Sequence, residues 1–425
     1  MASDAASRRA IDAVWRIESA RLIGGLARIV RDVGLAEDLA QEALVAALQQ
    51  WPESGVPEKP GAWLMAVGKR RAADHFRHAT MAGRKHEELG QQLEARSAAE
   101  PDLDAVIEDD VGDDLLRLMF IACHPVLSRE ARAALTLRLL AGLTIEEIAR
   151  AFLVPEPTVA QRIVRAKRTL AEARVPFELP PENERKERLS SVLEVIYLIF
   201  NEGYSATAGA EWVRPELCEE GLRLGRILAE LVPNEPDVHG LVALMEIQAS
   251  RLRARVGPAG EPILLLDQDR SRWDHLLIRR GLAALDRAEK QGGALGPYTL
   301  QAAIAACHAR ARTAEETDWE RIVALYDALA EIMPSPVVEL NRAVAVGFAF
   351  GPAAGLELVD ELKEDPALKA YHLLPSVRGD LLVKLGRFDE ARAEFERAAS
   401  LTRNDREREL LLARADHARG DGQVG

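Results

Sequence analysis

The chain is 425 residues long, enough for two to four domains of ordinary size. Hydrophobic residues make up 48% and charged residues 29%, which excludes a wholly disordered chain, and the net charge of −13 excludes a surface coated all over with cations. Local basic patches remain open to it. The three cysteines, Cys123, Cys218 and Cys307, form no CxxC pair, so a disulfide framework or zinc ribbon is not expected and a reducing cytoplasm is. Neither an apolar signal segment nor a run of about 18 apolar residues is present, so no contact with a membrane is expected.

The pattern predicts an all-α protein. Ala, Leu, Arg and Glu dominate, and apolar residues recur at intervals of three and four. Gly and Pro clusters at 52–61, 176–181 and 257–262 punctuate it. Residues 8–80 are expected to form a first small helical domain. It carries Ala36-Glu37-Asp38-Leu39-Ala40-Gln41-Glu42-Ala43-Leu44, an acidic and amide-bearing helix suited to a basic protein partner. Trp51-Pro52-Glu53-Ser54-Gly55-Val56-Pro57 reads as a loop. Gly61-Ala62-Trp63-Leu64 then opens a helix with Lys69, Arg70, Arg71, Asp74, His75, Phe76 and Arg77, where cations beside aromatics suit unstacked bases.

Residues 81–112 read as an acidic, flexible linker: from Ala98 to Asp114 there are eight acidic residues and no Lys or Arg. A solvated tether is the plainer reading, and a nucleic-acid mimic is the other. Residues 113–175 are expected to form a second helical domain with a helix-turn-helix. Gly142 stops one helix, and Thr144 with Glu147 has the spacing of a capping box. Leu153-Val154-Pro155 makes the turn, and Pro157 suits the first turn of the next helix. At about 100° per residue, Val159, Ile163, Ala166 and Leu170 share one face. Gln161, Val164, Arg165 and Arg168 share the opposite one, with Arg162 and Lys167 on the flanks. An apolar stripe that docks and a Gln/Arg face turned outward is what major-groove reading requires.

Together the stretches AEDLAQEAL, KPGAWLMAVGKRRAADHFR and LTIEEIARAFLVPEPTVAQRIVRAKRTL resemble the extracytoplasmic-function RNA polymerase sigma factors, in order and in spacing, over residues 10–175. The resemblance implies a sigma region 2 at 8–80 and a region 4 at 113–175. It places Asp38, Gln41 and Glu42 on the helix that binds core RNA polymerase. Ser54, Gly55, Val56 and Pro57 fall where the family captures an unstacked base, and Lys69, Arg70, Asp74 and Arg77 on the helix that meets the minus-ten element. Thr158, Gln161, Arg162 and Arg165 fall on the helix that meets the minus-35 element of promoter DNA, and Arg168 shares its outward face. The chain departs from the family pattern at Arg70, where many relatives carry Asn, at Ala160, where many are basic, and at Pro157, where many have Gly.

Residues 182–425 exceed that family's usual length. Gly379, Gly386, Phe388, Ala391, Phe395 and Ala398 resemble the small and aromatic positions of a tetratricopeptide repeat, and Trp319, Tyr326, Pro334 and Pro336 begin a weaker copy. The expectation is a stacked, TPR-like helical array that regulates the sigma domains and offers a concave surface to an unknown protein or peptide. Asn201-Glu202-Gly203-Tyr204 reads either as a buried polar joint between helices or as a ligand or interdomain contact. Cys123-His124 reads as core packing rather than a metal site. With no nucleophile elbow, P-loop or HExxH, neither catalysis nor a cofactor is expected. The other class of function open to this sequence is a helix-turn-helix regulator with a repeat-type sensor domain.

Overall fold

The computed structural model describes the backbone of residues 2–87 and 111–421, and the side chains of residues 8–77 and 112–418. Among the described residues the protein is all-α apart from two two-residue strands. Two compact units divide inside one helix, after Val195.

In the first unit α1 (Ala2–Val30), α2 (Val33–Ser54) and α3 (Pro60–Glu87) form a bundle. Ile11, Ile23, Leu26, Leu39, Trp51 and Leu64 fill its core, each almost wholly buried. Asp32 caps α2 by accepting from the Leu35 amide at 2.7 Å. Gly68 faces Leu26 so closely that a Cβ would lie 2.9 Å from a leucine methyl. The expected loop at Trp51–Pro57 is shorter than the turn formers suggested. Helix α2 runs on through Pro52 to Ser54, and the chain turns only at Gly55, where φ is 81°. Proline is tolerated there because Trp51 anchors the last turn in the core, and the Gly55 amide donates to the Trp51 carbonyl at 2.9 Å.

The first residues of the expected 81–112 linker continue α3, its last two belong to α4 (Val111–Ala122), and residues 88–110 lie outside the described residues. The end of the acidic run is not solvated tether. Asp113 and Asp114 open α4, where acidic side chains suit the helix dipole. Asp114 is buried between Arg117 at 2.8 Å and Arg28 of α1 at 3.3 Å. Next come α5 (Arg129–Leu139), α6 (Ile145–Phe152) and α7 (Glu156–Glu172), then α8 (Glu182–Tyr204).

The first half of α8 belongs to the first unit and covers α4 and α5. Ser191 Oγ donates to the Cys123 carbonyl at 2.6 Å, Arg188 donates to the Phe120 carbonyl at 2.9 Å, and Glu194 pairs with Arg129 and Arg132. Leu189, Val192 and Val195 of the same stretch are buried. Cys123 is core, as expected: its thiol lies 3.4 Å from Thr136 Oγ1 and is pushed up to about 11 by burial. His124 is pushed down to about 4, by burial and then by Arg188. Among the described residues no group of three or more His, Cys, Asp or Glu could hold a metal ion, and no helix is long and apolar enough to cross a membrane.

The second unit is a succession of helices. It takes the end of α8 through α9 (Pro215–Leu231), α10 (Pro236–Ala249), α11 (His275–Lys290), α12 (Pro297–Arg310) and α13 (Trp319–Ile332). It continues in α14 (Pro336–Ala349), α15 (Pro352–Leu362), α16 (Leu373–Lys384), α17 (Phe388–Leu401) and α18 (Asp405–Asp421). Five of these helices open with proline, whose missing N–H costs nothing at the first position. Successive helices pack on one another. In the α16–α17 hairpin, Gly379 lies under the Phe395 ring so tightly that a Cβ would meet it at 2.7 Å.

Within this unit the array closes on itself. Strand β1 (Ala208–Gly209) pairs in parallel with β2 (Arg403–Asn404). Asn404 is buried, and its side-chain amide donates to the Ala206 and Glu211 carbonyls at 3.0 and 2.8 Å. In the Asn201–Tyr204 segment Asn201 is exposed, while Glu202, Gly203 and Tyr204 are buried. Glu202 pairs with Arg214 at 2.6 Å, and the Gly203 backbone meets α9 so closely that a Cβ would lie 2.5 Å from the Cys218 nitrogen.

Replacing Asn404 by Ala strips the buried Ala206 carbonyl and the part-buried Glu211 carbonyl of their donor. Each such loss costs about 1–3 kcal/mol, so Asn404→Ala is expected to lower the unfolding temperature by calorimetry. An unchanged transition would show that the closure contributes nothing.

Candidate nucleic-acid interface

The helix-turn-helix forms as its local sequence dictates. Thr144 caps α6, accepting from the Glu147 amide at 3.1 Å, while Glu147 Oε2 accepts from the Thr144 amide at 2.9 Å. Leu153 ends α6 in the left-handed region, φ 49°, which sets the turn into α7. Val159, Ile163, Ala166 and Leu170 are buried against the domain. Thr158, Gln161, Val164, Arg165 and Arg168 are exposed, and Arg162 and Lys167 lie half-buried on the flanks. A groove of about 390 Å³ runs beside Thr158, Gln161, Arg162 and Arg165, with Ser128 at the start of α5 on its far wall. Ser128 accepts from the Ala131 amide, so the N-terminal end of α5, with its partial positive charge, borders the groove. Sequence reasoning missed that wall, although Ser128 followed by Arg129-Glu130 carries the signal of a helix start.

On α2 one face is locked in the bundle by Ala36, Leu39, Ala40, Ala43 and Ala47. The other presents Asp38, Gln41 and Glu42, and continues into Val45 and Leu48, which are 51% and 40% exposed. Large aliphatic groups in water beside acidic and amide groups suit a protein surface better than a polyanion. Glu42 pairs with Arg71 of α3 at 3.4 Å. Ser54, Gly55 and Val56 are exposed and Pro57 half-buried at the α2–α3 turn; Ser54 Oγ donates to the Gln50 carbonyl at 2.9 Å.

On α3, Arg70 and Arg77 are exposed, Lys69 and Asp74 half-buried, and Asp74 pairs with Arg77. Phe76 is 39% exposed beside His75. Trp63 sits half-buried, edge-on to the core residue Trp51 with ring centres 5.2 Å apart, and so anchors the start of α3 to α2.

The structure brings two of these faces together. Glu37, 4% exposed, accepts from Arg138 of α5 at 2.8 Å and pairs with Lys167 of α7. Lys167 also reaches Asp38 at 3.3 Å. Arg16 of α1 pairs with the capping residue Glu147 at 2.6 Å, and Gly142 lies against Ser19 and Trp15. One carboxylate on the expected polymerase-facing helix thus ties down a flank of the expected DNA-reading helix. Nothing local marks Glu37, because its partners lie 101 or more residues away.

Comparison with known proteins gives three family matches. Residues 17–81 match Sigma-70 region 2, residues 117–170 match Sigma-70, region 4, and residues 188–289 match a family of unknown function (DUF6596). An uncharacterized protein of Rhizobium meliloti (strain 1021), R00370, is 45% identical over 397 residues, 93% of this chain and 92% of its own length. The probable ECF RNA polymerase sigma factor SigI of Mycobacterium tuberculosis is 28% identical over 41% of this chain, and the match spans 59% of SigI. The ECF RNA polymerase sigma factor SigK of Mycobacterium ulcerans is 29% identical over 35% of this chain and 78% of its own length. The chain therefore carries sigma-70 region 2 and region 4 domains.

A double-mutant cycle tests the Glu37 contact. Glu37→Gln and Arg138→Met should each cost about 1.5–3 kcal/mol, the range for hydrogen bonds to charged groups. The pair together should cost less than the sum, by about 0.5 kcal/mol or more, in urea unfolding of the full chain. Strict additivity would mean the two side chains do not act on each other.

Proposed function

We propose that this chain, which belongs to the same family as R00370 of Rhizobium meliloti, is a sigma factor that binds core RNA polymerase and directs promoter-specific initiation. The observation that carries the reading is the conjunction of two faces in one chain. One is the acidic and aliphatic stripe on α2, from Asp38 to Leu48; the other is the Gln161, Arg165 and Arg168 face of a helix-turn-helix. A regulator that only binds promoters needs the second face and has no use for the first.

In this reading Asp38, Gln41 and Glu42 meet a basic surface of the polymerase, and Val45 and Leu48 bury against it. Lys69, Arg70, Asp74 and Arg77, with the Ser54–Pro57 turn, meet the minus-ten element. Thr158, Gln161, Arg162, Arg165 and Arg168 meet the minus-35 element, where Arg and Gln match the acceptor and donor patterns of the major groove. The protein works beside its template in the cytoplasm.

The TPR-like extension modulates the sigma domains from within the same chain. The packing of α8 on α4 and α5, through Ser191, Arg188 and Glu194, supports this role, since the helix that begins the extension also completes the region 4 core. Its array is a candidate surface for a protein or peptide partner.

Charge reversal, Asp38→Lys with Glu42→Lys, is expected to weaken the complex with core polymerase in a pull-down, because like charges across an interface cost free energy. Undiminished binding would count against the α2 assignment. Arg165→Ala is expected to cut discrimination between promoter and non-promoter DNA by roughly 1–3 kcal/mol, the worth of one good base contact. Equal weakening on every sequence would reassign Arg165 to a phosphate.

A further inference from the structure

The C-terminal ends of α1 and α7 meet at a cavity of about 540 Å³ within the first unit. Its walls come from both sigma domains. Arg28, Arg31 and Asp32 lie on the region 2 side, and Arg117, Lys167 and Arg174 on the region 4 side. A Cβ at Gly34 would lie 3.6 Å from Lys167 Cδ, so the two walls touch along one edge. Ile121, Leu170 and Phe177 add an apolar surface. The volume is that of an ordinary small-molecule pocket, roughly 300–1,000 Å³.

Five cations and two carboxylates, Asp32 and Glu178, line the cavity. Three of the cations are already matched. Arg28 and Arg117 share Asp114 at 3.3 and 2.8 Å, and Lys167 pairs with Glu37 and reaches Asp38 at 3.3 Å. Arg31 and Arg174 are exposed and, among the described residues, form no ion pair. Asp32 is occupied in capping α2, where it accepts from the Leu35 amide at 2.7 Å. Glu178 is exposed. The cavity thus holds two solvated guanidiniums beside an apolar wall.

The backbone holds those two arginines at a cost. Both are left-handed, with φ of 54° and 50°, and among the described residues Leu153 is the one other non-glycine residue with positive φ. Each closes its helix. The Arg31 amide donates to the Ala27 carbonyl at 2.8 Å, the Arg174 amide to the Ala171 carbonyl at 3.0 Å, and the Val175 amide to the Leu170 carbonyl at 3.1 Å. Glycine is the usual residue at this position, because it alone adopts the conformation without strain. A cation near a helix C-terminus suits the dipole, which accounts for either charge alone. It does not account for two strained arginines, from different domains, on one cavity. Strain of this kind gathers where a side chain serves a ligand.

We propose that this cavity binds a nucleoside phosphate, with its phosphates on Arg31 and Arg174 and its base on the wall of Ile121, Leu170 and Phe177. The guanidinium fork matches phosphate oxygens. A phosphate that carries a flat apolar body is the ligand that uses both parts of the lining. Duplex DNA is not the occupant: Leu170 belongs to the docked face of α7, and Gln161, Arg165 and Arg168 on the opposite face do not line the cavity. Because the walls come from both domains, an occupant stabilises their packed arrangement. The proposal does not depend on the chain acting in transcription initiation.

The test is isothermal titration calorimetry of the full chain with ATP and with GTP, against adenosine, guanosine and sodium phosphate. Saturable binding of ATP or GTP is expected, tighter than that of phosphate, with none of the nucleosides. Arg31→Gly and Arg174→Gly remove a cation and relieve the left-handed strain together. Each is expected to keep or raise the unfolding temperature, yet to weaken nucleotide binding by about ten-fold or more, as loss of one charge-assisted hydrogen-bonding group does. Arg21→Gln, which removes an exposed cation elsewhere on α1, is expected to leave the affinity unchanged. The proposal is overturned if neither nucleotide binds saturably, or if phosphate alone or the nucleosides bind as tightly. It is equally overturned if affinity is undiminished in Arg31→Gly or Arg174→Gly, or falls as far in Arg21→Gln. A short DNA duplex that displaces the nucleotide would assign the cations to the DNA backbone and overturn it too. The ligand comparisons use the unaltered chain and decide the matter whether or not the variants fold.

Discussion

A helix can present a defined face to a ligand only when its opposite face is fixed, and in α7 the fixing is done by Val159, Ile163, Ala166 and Leu170. Their burial sets the rotation of the helix about its axis to within one residue. With that rotation set, Thr158, Gln161, Arg165 and Arg168 have nowhere to point but outward. The capping box at Thr144 and the left-handed Leu153 then fix the angle at which α6 supports it. The same logic governs α2, where a strip of alanines with Leu39 holds the inner face so close to the bundle that Asp38, Glu42, Val45 and Leu48 are left exposed.

The net charge of −13 concealed a division of labour. Carboxylates pair with many of the cations: Glu37 takes Arg138 and Lys167, Asp114 takes Arg28 of α1 and Arg117, and Glu194 takes Arg129 and Arg132. Among the described residues Arg165 and Arg168, on the outward face of α7 that a polyanion would meet, form no ion pair with a carboxylate outside α7. The protein is acidic as a whole and cationic where the helix-turn-helix faces solvent.

How far the sequence could be read depended on the range of the interaction. Everything written in three- and four-residue steps was legible: the all-α class, the capping box, and the buried and exposed faces of α7. Pro52 misled because its tolerance inside α2 comes from Trp51 in the core. The end of the acidic run misled because composition cannot show that Asp114 finds Arg28. Glu37 carried no local mark, and neither did Asn404, whose side chain reaches a carbonyl 198 residues earlier. For Glu202, two readings stood open until Arg214 was seen beside it. The start of α8 was placed by its prolines, but its packing on Cys123 and Phe120 depends on contacts that no periodicity encodes.

On the proposed function, one chain supplies both promoter recognition and engagement of the polymerase. Transcription reconstituted from core RNA polymerase, the full chain and a library of genomic fragments measures this most directly. The expected result is start sites that appear only when the chain is present, each preceded by a shared pair of upstream elements at constant spacing. Start sites that appear only when a separate sigma factor is added would contradict it, and would make the chain a DNA-binding regulator.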